Sequence, residues 1–136
     1  MAGRSSEASQ SRKLGIKPGM RICLNHAPSN WVLIDPPPDI TFVGPRSSAD
    51  VIIVFFEDVD QIHRRLPSLA KRIYPDGALW IGWPRRAAGH LSDITDNIVR
   101  KTALLLGIVD VKVAAIDDDW SGLRFVWRVS NRGSSR

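Results

Sequence analysis

Two arginines beside a tryptophan, in Trp83-Pro84-Arg85-Arg86, are the residues of this chain best suited to chemistry. A guanidinium pairs with two oxygens of a carboxylate or phosphate at once and stacks on an indole, so Trp83, Arg85 and Arg86 suit the capture of a small anion. The plainer role is a solvated loop whose arginines pair with Asp117, Asp118 or Asp119, an arrangement worth little energy at a surface. Asn25 and His26 follow the first apolar run, and Trp120 lies in the turn Asp117-Asp118-Asp119-Trp120-Ser121-Gly122. An indole at such a tip either folds back onto the protein or is presented to a partner. Asn25, His26, Trp83, Arg85, Arg86 and Trp120 are therefore the candidate residues for binding a ligand or partner.

Catalysis and metal binding have weaker support. The imidazoles of His26 and His90 suit general-base work, but no nucleophile adjoins either one. Ser29 and Ser92, the nearest hydroxyls, are of the type that starts turns and caps helices. His63 falls beside the apolar stripe of a helix, a surface position. The acids 117–119 diverge along an extended turn, and no His or Cys stands at metal-ligand spacing from them. No catalytic residue and no metal ligand is assigned.

The hydrophobic pattern supplies the scaffold. Residues 20–25 read as a buried strand, 40–43 as a short one between Pro36-Pro37-Pro38 and Gly44-Pro45, and 51–56 as a strand covered on both faces. Val59, Ile62, Leu66, Leu69 and Ile73 form one stripe at helical spacing over 57–74, where Pro67 is expected to kink the helix or start a second. A strand over 78–82 follows Pro75-Asp76-Gly77. Ser92 is placed to cap another helix with Ile94, Ile98, Val99, Ala103, Leu105 and Leu106 on its buried side and Gly107 at its end. Two alternating arms, 109–116 and 123–129, make an antiparallel hairpin. Val109, Val111, Val113 and Ala115 share one face of the first arm, and Leu123, Phe125, Trp127 and Val129 one face of the second.

This order predicts an α/β fold: a truncated Rossmann-like sheet of five or six strands, mostly parallel, with a C-terminal antiparallel hairpin and helices on both faces. Residues 20–26 and 50–56 are expected to be adjacent and central. Ligands of open α/β sheets bind outside the carboxyl ends of the parallel strands, and that edge gathers all six candidates.

Leu14-Gly15-Ile16-Lys17-Pro18-Gly19 resembles the segment before the first strand of class I methyltransferases, and Arg72-Ile73-Tyr74-Pro75-Asp76-Gly77-Ala78-Leu79 resembles one of their helix-to-strand turns. The closing hairpin is similar to their reversed final strand. The resemblance spans residues 14–129 and implies S-adenosylmethionine over 25–29, with its adenine near Phe55 or Phe56. The residues themselves point the other way. No glycine lies between Gly19 and Gly44, where a glycine-rich turn would let the backbone approach a cofactor, and Pro28 removes an amide donor. The second strand ends in Gly44-Pro45 rather than in an acid for a ribose, and the chain from Val43 to Val51 is too short for an intervening helix and strand. Trp80-Ile81-Gly82-Trp83-Pro84, Val109-Asp110-Val111-Lys112-Val113 and Trp120-Ser121-Gly122-Leu123 resemble a family of short bacterial proteins classed as a domain of unknown function. That resemblance implies no activity.

Composition bounds the partners. A chain of 136 residues makes one domain, expected over 14–129 between disordered tails 1–13 and 130–136. Residues 1–13 carry a net +2 (Arg4, Arg12 and Lys13 against Glu7) and residues 130–136 another +2 (Arg132 and Arg136), which leaves +1 of the net +5 for the body. Phosphate-backbone binding needs clustered positive charge, so nucleic acid is not expected as a partner, and a nucleic-acid accessory role ranks last. No apolar run reaches the roughly 18 residues of a membrane span, and no signal-peptide stretch opens the chain. Cys23, the one cysteine, reads as a small buried core residue. The expected protein is cytoplasmic, without a membrane partner or a cofactor: a non-catalytic Rossmann-like module that binds a protein partner or a small anionic ligand. The alternative is a divergent S-adenosylmethionine-dependent, methyltransferase-like enzyme.

Overall fold

A computed structural model of the chain describes residues 10–131. Its scaffold is one sheet of six strands: β1 (Arg21–Asn25), β2 (Thr41–Phe42), β3 (Val51–Phe55), β4 (Ala78–Pro84), β5 (Ile108–Val113) and β6 (Trp120–Trp127), in the order β2-β1-β3-β4-β6-β5. The first four in that order pair in parallel, and β6 runs antiparallel to both its neighbours. The expected mostly parallel α/β sheet with a C-terminal hairpin is what forms. β1 and β3 are adjacent, with Ile22 beside Val51 and Asn25 beside Val54; β3 is central, while β1 has only the two-residue β2 outside it. Every residue from Val51 to Phe56 is at most 2 % exposed. A run that is β-branched and aromatic throughout has no polar face to offer water.

Alternation along the strands divides the core into two layers. Ile52, Val54, Phe56, Ile81 and Phe125 face one side, where they meet α2 (Val59–Arg72) through Ile62, Leu66 and Leu69, and α3 (Asp96–Leu106) through Val99 and Ala103. α2 runs unbroken through Pro67, which lies on its exposed side, because the buried stripe holds the axis on both sides of the missing donor. α3 starts later than the sequence suggests. Thr95, not Ser92, is its N-cap and accepts the Ile98 N–H at 3.3 Å, while the Ser92 hydroxyl bridges the Glu57 carbonyl and the Ile94 amide. Gly107 ends the helix in the left-handed region at φ 98°, but Leu105 points outward.

Val51, Ile53, Phe55 and Trp80 face the other side, under Leu14, Ile16, Trp31 and Leu33. The expectation of helices on both faces is met there only by α1 (Gln10–Lys13), a single turn. The rest of that cover is coil, because Pro28 and Pro36-Pro37-Pro38 prevent residues 26–40 from forming a helix. α1 also moves the start of the folded body, since the sequence assigns residues 10–13 to a tail. Ser11 is 3 % exposed and its hydroxyl bonds the carbonyls of Ile34 and Asp35, while Gln10 accepts the Ile34 amide. Val129–Asn131 similarly form a 3-10 turn. The remaining tail positions, 1–9 and 132–136, lie outside the described residues.

Two glycines set the spacing of the antiparallel half. Gly82 and Gly122 face each other across β4 and β6, and Ile116 fills the notch between them. A Cβ at Gly82 would come within 2.6 Å of Ile116 Cδ1, and one at Gly122 within 2.9 Å of the Ala114 carbonyl. β5 departs from expectation. Its register with β6 shifts between Asp110 and Lys112, so Val111 takes the extra position of a bulge and the alternation breaks. Val111 and Val113 are 51 % and 68 % exposed on this edge strand.

Candidate functional site

Because β4 continues through Trp83 and Pro84 and β6 already begins at Trp120, the loops after β4 and β5 meet directly. The Arg85 amide donates to the Asp119 carbonyl at 2.8 Å, and Arg85 Nη1 to the Asp118 carbonyl at 3.3 Å. His90 Nε2 lies 3.0 Å from Asp119 Oδ1. On the side of the sheet that carries α2 and α3, these loops border an open cavity of about 530 Å³ whose walls include Trp83, Arg85, Arg86, His90, Thr95 and Ser121. The N-terminus of α3 opens toward it through the Thr95 cap.

Four acids of this edge, among them Asp96 in the cavity wall, are engaged elsewhere. Asp96 bonds Arg100 at 3.1 Å, and Asp93 accepts the Val59 amide at 3.0 Å. Asp117 accepts Trp31 Nε1 at 2.7 Å as well as the amides of Asp119 and Trp120. Among the described residues neither Arg85 nor Arg86 forms an ion pair with a carboxylate. Pairing with the acids of residues 117–119, the plainer expectation, is thus reduced to two carbonyl contacts of Arg85.

The two indoles do not flank one cleft. Trp83 opposes Ser121 and Trp120 opposes Pro84 across the β4–β6 pair, and adjacent positions on a strand point to opposite faces. Trp83 is 9 % exposed in the layer under the helices. Trp120 packs edge-to-face on Phe55 at 5.0 Å on the other side, where Trp31 contacts the same ring at 5.1 Å. Trp120 instead borders a separate cavity of about 650 Å³ with Pro28, Glu57 and Asp58.

Asn25 and His26 belong to a third place, at the end of β1. The Arg65 guanidinium of α2 sits 5.1 Å above the Phe56 ring and donates to Asn25 Oδ1. His26 adopts the left-handed region at φ 58°, turning the chain away from the strand. Partial burial, and after it the charge of Arg65, holds the His26 pKa below its usual 6.5. The folded state therefore binds fewer protons at this ring than the unfolded state, so this contribution to stability is lost as pH falls through 6.5 toward the folded pKa. The residue is largely exposed, so the effect on stability is small. An NMR titration should give His26 a pKa under 6.5, and Arg65→Ala should raise it; a value above 6.5 in the parent would refute the arrangement.

The same geometry tests the cofactor implied by the methyltransferase resemblance. A nucleotide cofactor needs close backbone approach after β1. Here Arg65 occupies that end by bonding Asn25, Pro28 offers no amide, and Trp31 fastens the following loop to Asp117 on the far face. β2 ends at Phe42 with no acid to hold a ribose. The residues present do not fit such a cofactor. Among the described residues no three of His, Cys, Asp and Glu come together in a way that could hold a metal ion, and no helix is long and apolar enough to cross a membrane.

Thr95, Ser121 and Arg65 are the site residues that sequence reasoning missed. Thr95-Asp96 is as good a cap signature as Ser92-Asp93 and could have been weighed equally. Nothing local marks the other two, whose places follow from strand register and helix docking.

No protein-family model matches the chain, and no curated protein matches it. Among solved structures it is similar to magnesium protoporphyrin IX methyltransferase (ChlM) from Synechocystis PCC 6803, crystallised with bound SAH. The match has a TM-score of 0.52 at 11 % identity and covers 82 % of this chain and 75 % of that one. At that identity the likeness speaks for the fold alone, and the fold is a methyltransferase-like, Rossmann-like sheet.

Proposed function

We propose that this protein is a non-catalytic Rossmann-like module that binds a small anionic ligand in the cavity bordered by Trp83, Arg85, Arg86 and Thr95. One observation carries the reading: two guanidinium groups line a cavity while Asp93, Asp96, Asp117 and Asp119 are committed to other partners. Charge-assisted bonds from arginine are about twice as strong as neutral ones, and the amide end of α3 adds a favourable partial charge. A non-catalytic role is supported by His90, whose only hydrogen-bond partner among the described residues is Asp119, with no hydroxyl or thiol on the ring. The acidic side chain of a protein partner would offer the same oxyanion. The reading sets the protein in the cytoplasm.

Thermal shift against nucleoside phosphates, nicotinamide dinucleotides and S-adenosylmethionine tests it. A ligand at 100 times its Kd stabilises by about 2.7 kcal/mol. Arg85→Ala/Arg86→Ala should change stability by no more than about 0.5 kcal/mol, as at surface positions, since the Arg85 backbone bond to Asp119 survives the change. It should also abolish the shift given by a phosphate-bearing ligand. A shift that persists undiminished in the double variant sinks the reading. The alternative, a methyltransferase-like enzyme, rests on the fold likeness. Transfer of a labelled methyl group from S-adenosylmethionine would favour it.

A further inference from the structure

On the face of the sheet opposite that cavity, Arg124 of β6 and Lys112 of β5 stand directly across from one another. Like charges at such paired positions repel unless something lies between them. The Arg124 Nε is buried without a hydrogen-bond partner, and among the described residues neither cation pairs with a carboxylate. Lys112 Nζ donates to the Lys13 carbonyl at 2.7 Å, which leaves two of its three donors unused. Gly15, at φ 77°, lies over the guanidinium: a Cβ there would sit 3.5 Å from Nε and 3.7 Å from Nη2. On the third side Arg124 neighbours Trp80 of β4, whose indole is fully buried. Burial without a counter-charge draws the Arg124 pKa below its usual value. The Nε–H stays covered beneath Gly15, but a half-sheltered guanidinium without a counter-charge is costly, and an oxyanion meeting its two terminal nitrogens would offset that cost.

We propose that Arg124 and Lys112 form a second binding site, for an oxyanion of the phosphate or carboxylate class, seated between the two side chains beside the turn at Leu14 and Gly15. The guanidinium supplies a fork to two oxygens, and the ammonium supplies a point charge from the neighbouring strand. The site is independent of the cavity at Arg85 and Arg86, from which the sheet separates it.

The test uses the full chain carrying Arg85→Ala/Arg86→Ala, so that the first cavity is silent. Inorganic phosphate and, separately, acetate are titrated by calorimetry at constant ionic strength. Binding of one ion per chain is expected, at least tenfold weaker after Arg124→Gln and several-fold weaker after Lys112→Ala. Binding of phosphate alone identifies a phosphate group as the ligand chemistry, and binding of acetate alone identifies a carboxylate. If Arg124→Gln fails to melt cooperatively, Lys112→Ala, on the exposed edge strand, decides the matter. The proposal is overturned if neither ion binds, or if the affinity is the same in the folded variants as in their parent.

Discussion

Val54→Asp is expected to abolish cooperative thermal melting, read by circular dichroism against the parent protein. Val54 has no exposed surface and sits in β3 between Asn25 of β1 and Ile81 of β4. Its side chain lies in the layer built from Ile52, Phe56, Ile62 and Ile81, which offers a carboxylate no partner. The change forfeits about 1.5–3 kcal/mol of apolar burial and leaves a charge whose effective desolvation is several kcal/mol even after relaxation. A domain of this size has about 5–15 kcal/mol in total. Val54→Ala separates the two effects, since it removes the methyl groups without adding the charge and should melt cooperatively at a lower temperature. A Val54→Asp variant that melts like its parent would mean that β3 is not the central strand.

The second large effect is expected at Trp80. This indole is fully buried in the coil-covered layer, and its Nε1 donates to the Leu14 carbonyl at 2.8 Å. Trp80→Ala should cost about 3–5 kcal/mol through the cavity it leaves, and the unpaired Leu14 carbonyl adds about 1–3 kcal/mol where water cannot reach it. Trp80→Phe keeps most of the packing but loses the donor, so its cost should fall between those of the parent and the alanine variant. Denaturation midpoints in urea read both. The same bond fastens the segment that carries α1 to the sheet, so proteolysis near Leu14 should accelerate in both variants. A Trp80→Ala cost below about 1 kcal/mol, the size of an ordinary surface change, would contradict this account of the coil-covered layer.

What was legible in the sequence was whatever a single element decides for itself. Val51 to Phe56 is apolar on both faces and had to be buried, and the stripe from Ile62 to Ile73 had to face a sheet. Gly107 had to end a helix. What depended on register was lost. A single bulge at Val111 broke the face that Val109, Val111, Val113 and Ala115 were expected to share, and a strand that begins at Trp120 instead of Leu123 sent that indole to the face opposite Trp83. The cover of the second layer was hidden for a related reason: Leu14, Ile16, Trp31 and Leu33 show no periodicity, because coil that lies across a sheet has none to show. The candidate residues divide in the same way. Trp83, Arg85 and Arg86 meet at one cavity, as their shared place at the carboxyl end of β4 suggested. Asn25 and His26 share the carboxyl edge but lie under α2 beside Arg65, a contact between residues forty positions apart.

The proposed function requires that an anion bind at the cavity after β4 and not at the loop after β1. Assigned amide spectra of the full chain, titrated with inorganic pyrophosphate and separately with S-adenosylmethionine, test it most directly. Pyrophosphate should move the amides of Arg85, Arg86, Thr95 and Ser121, which border the cavity, and leave those of Asn25, His26 and Ser29 in place. Shifts confined to residues 25–29 on addition of S-adenosylmethionine, with the cavity amides unmoved by either compound, would contradict it.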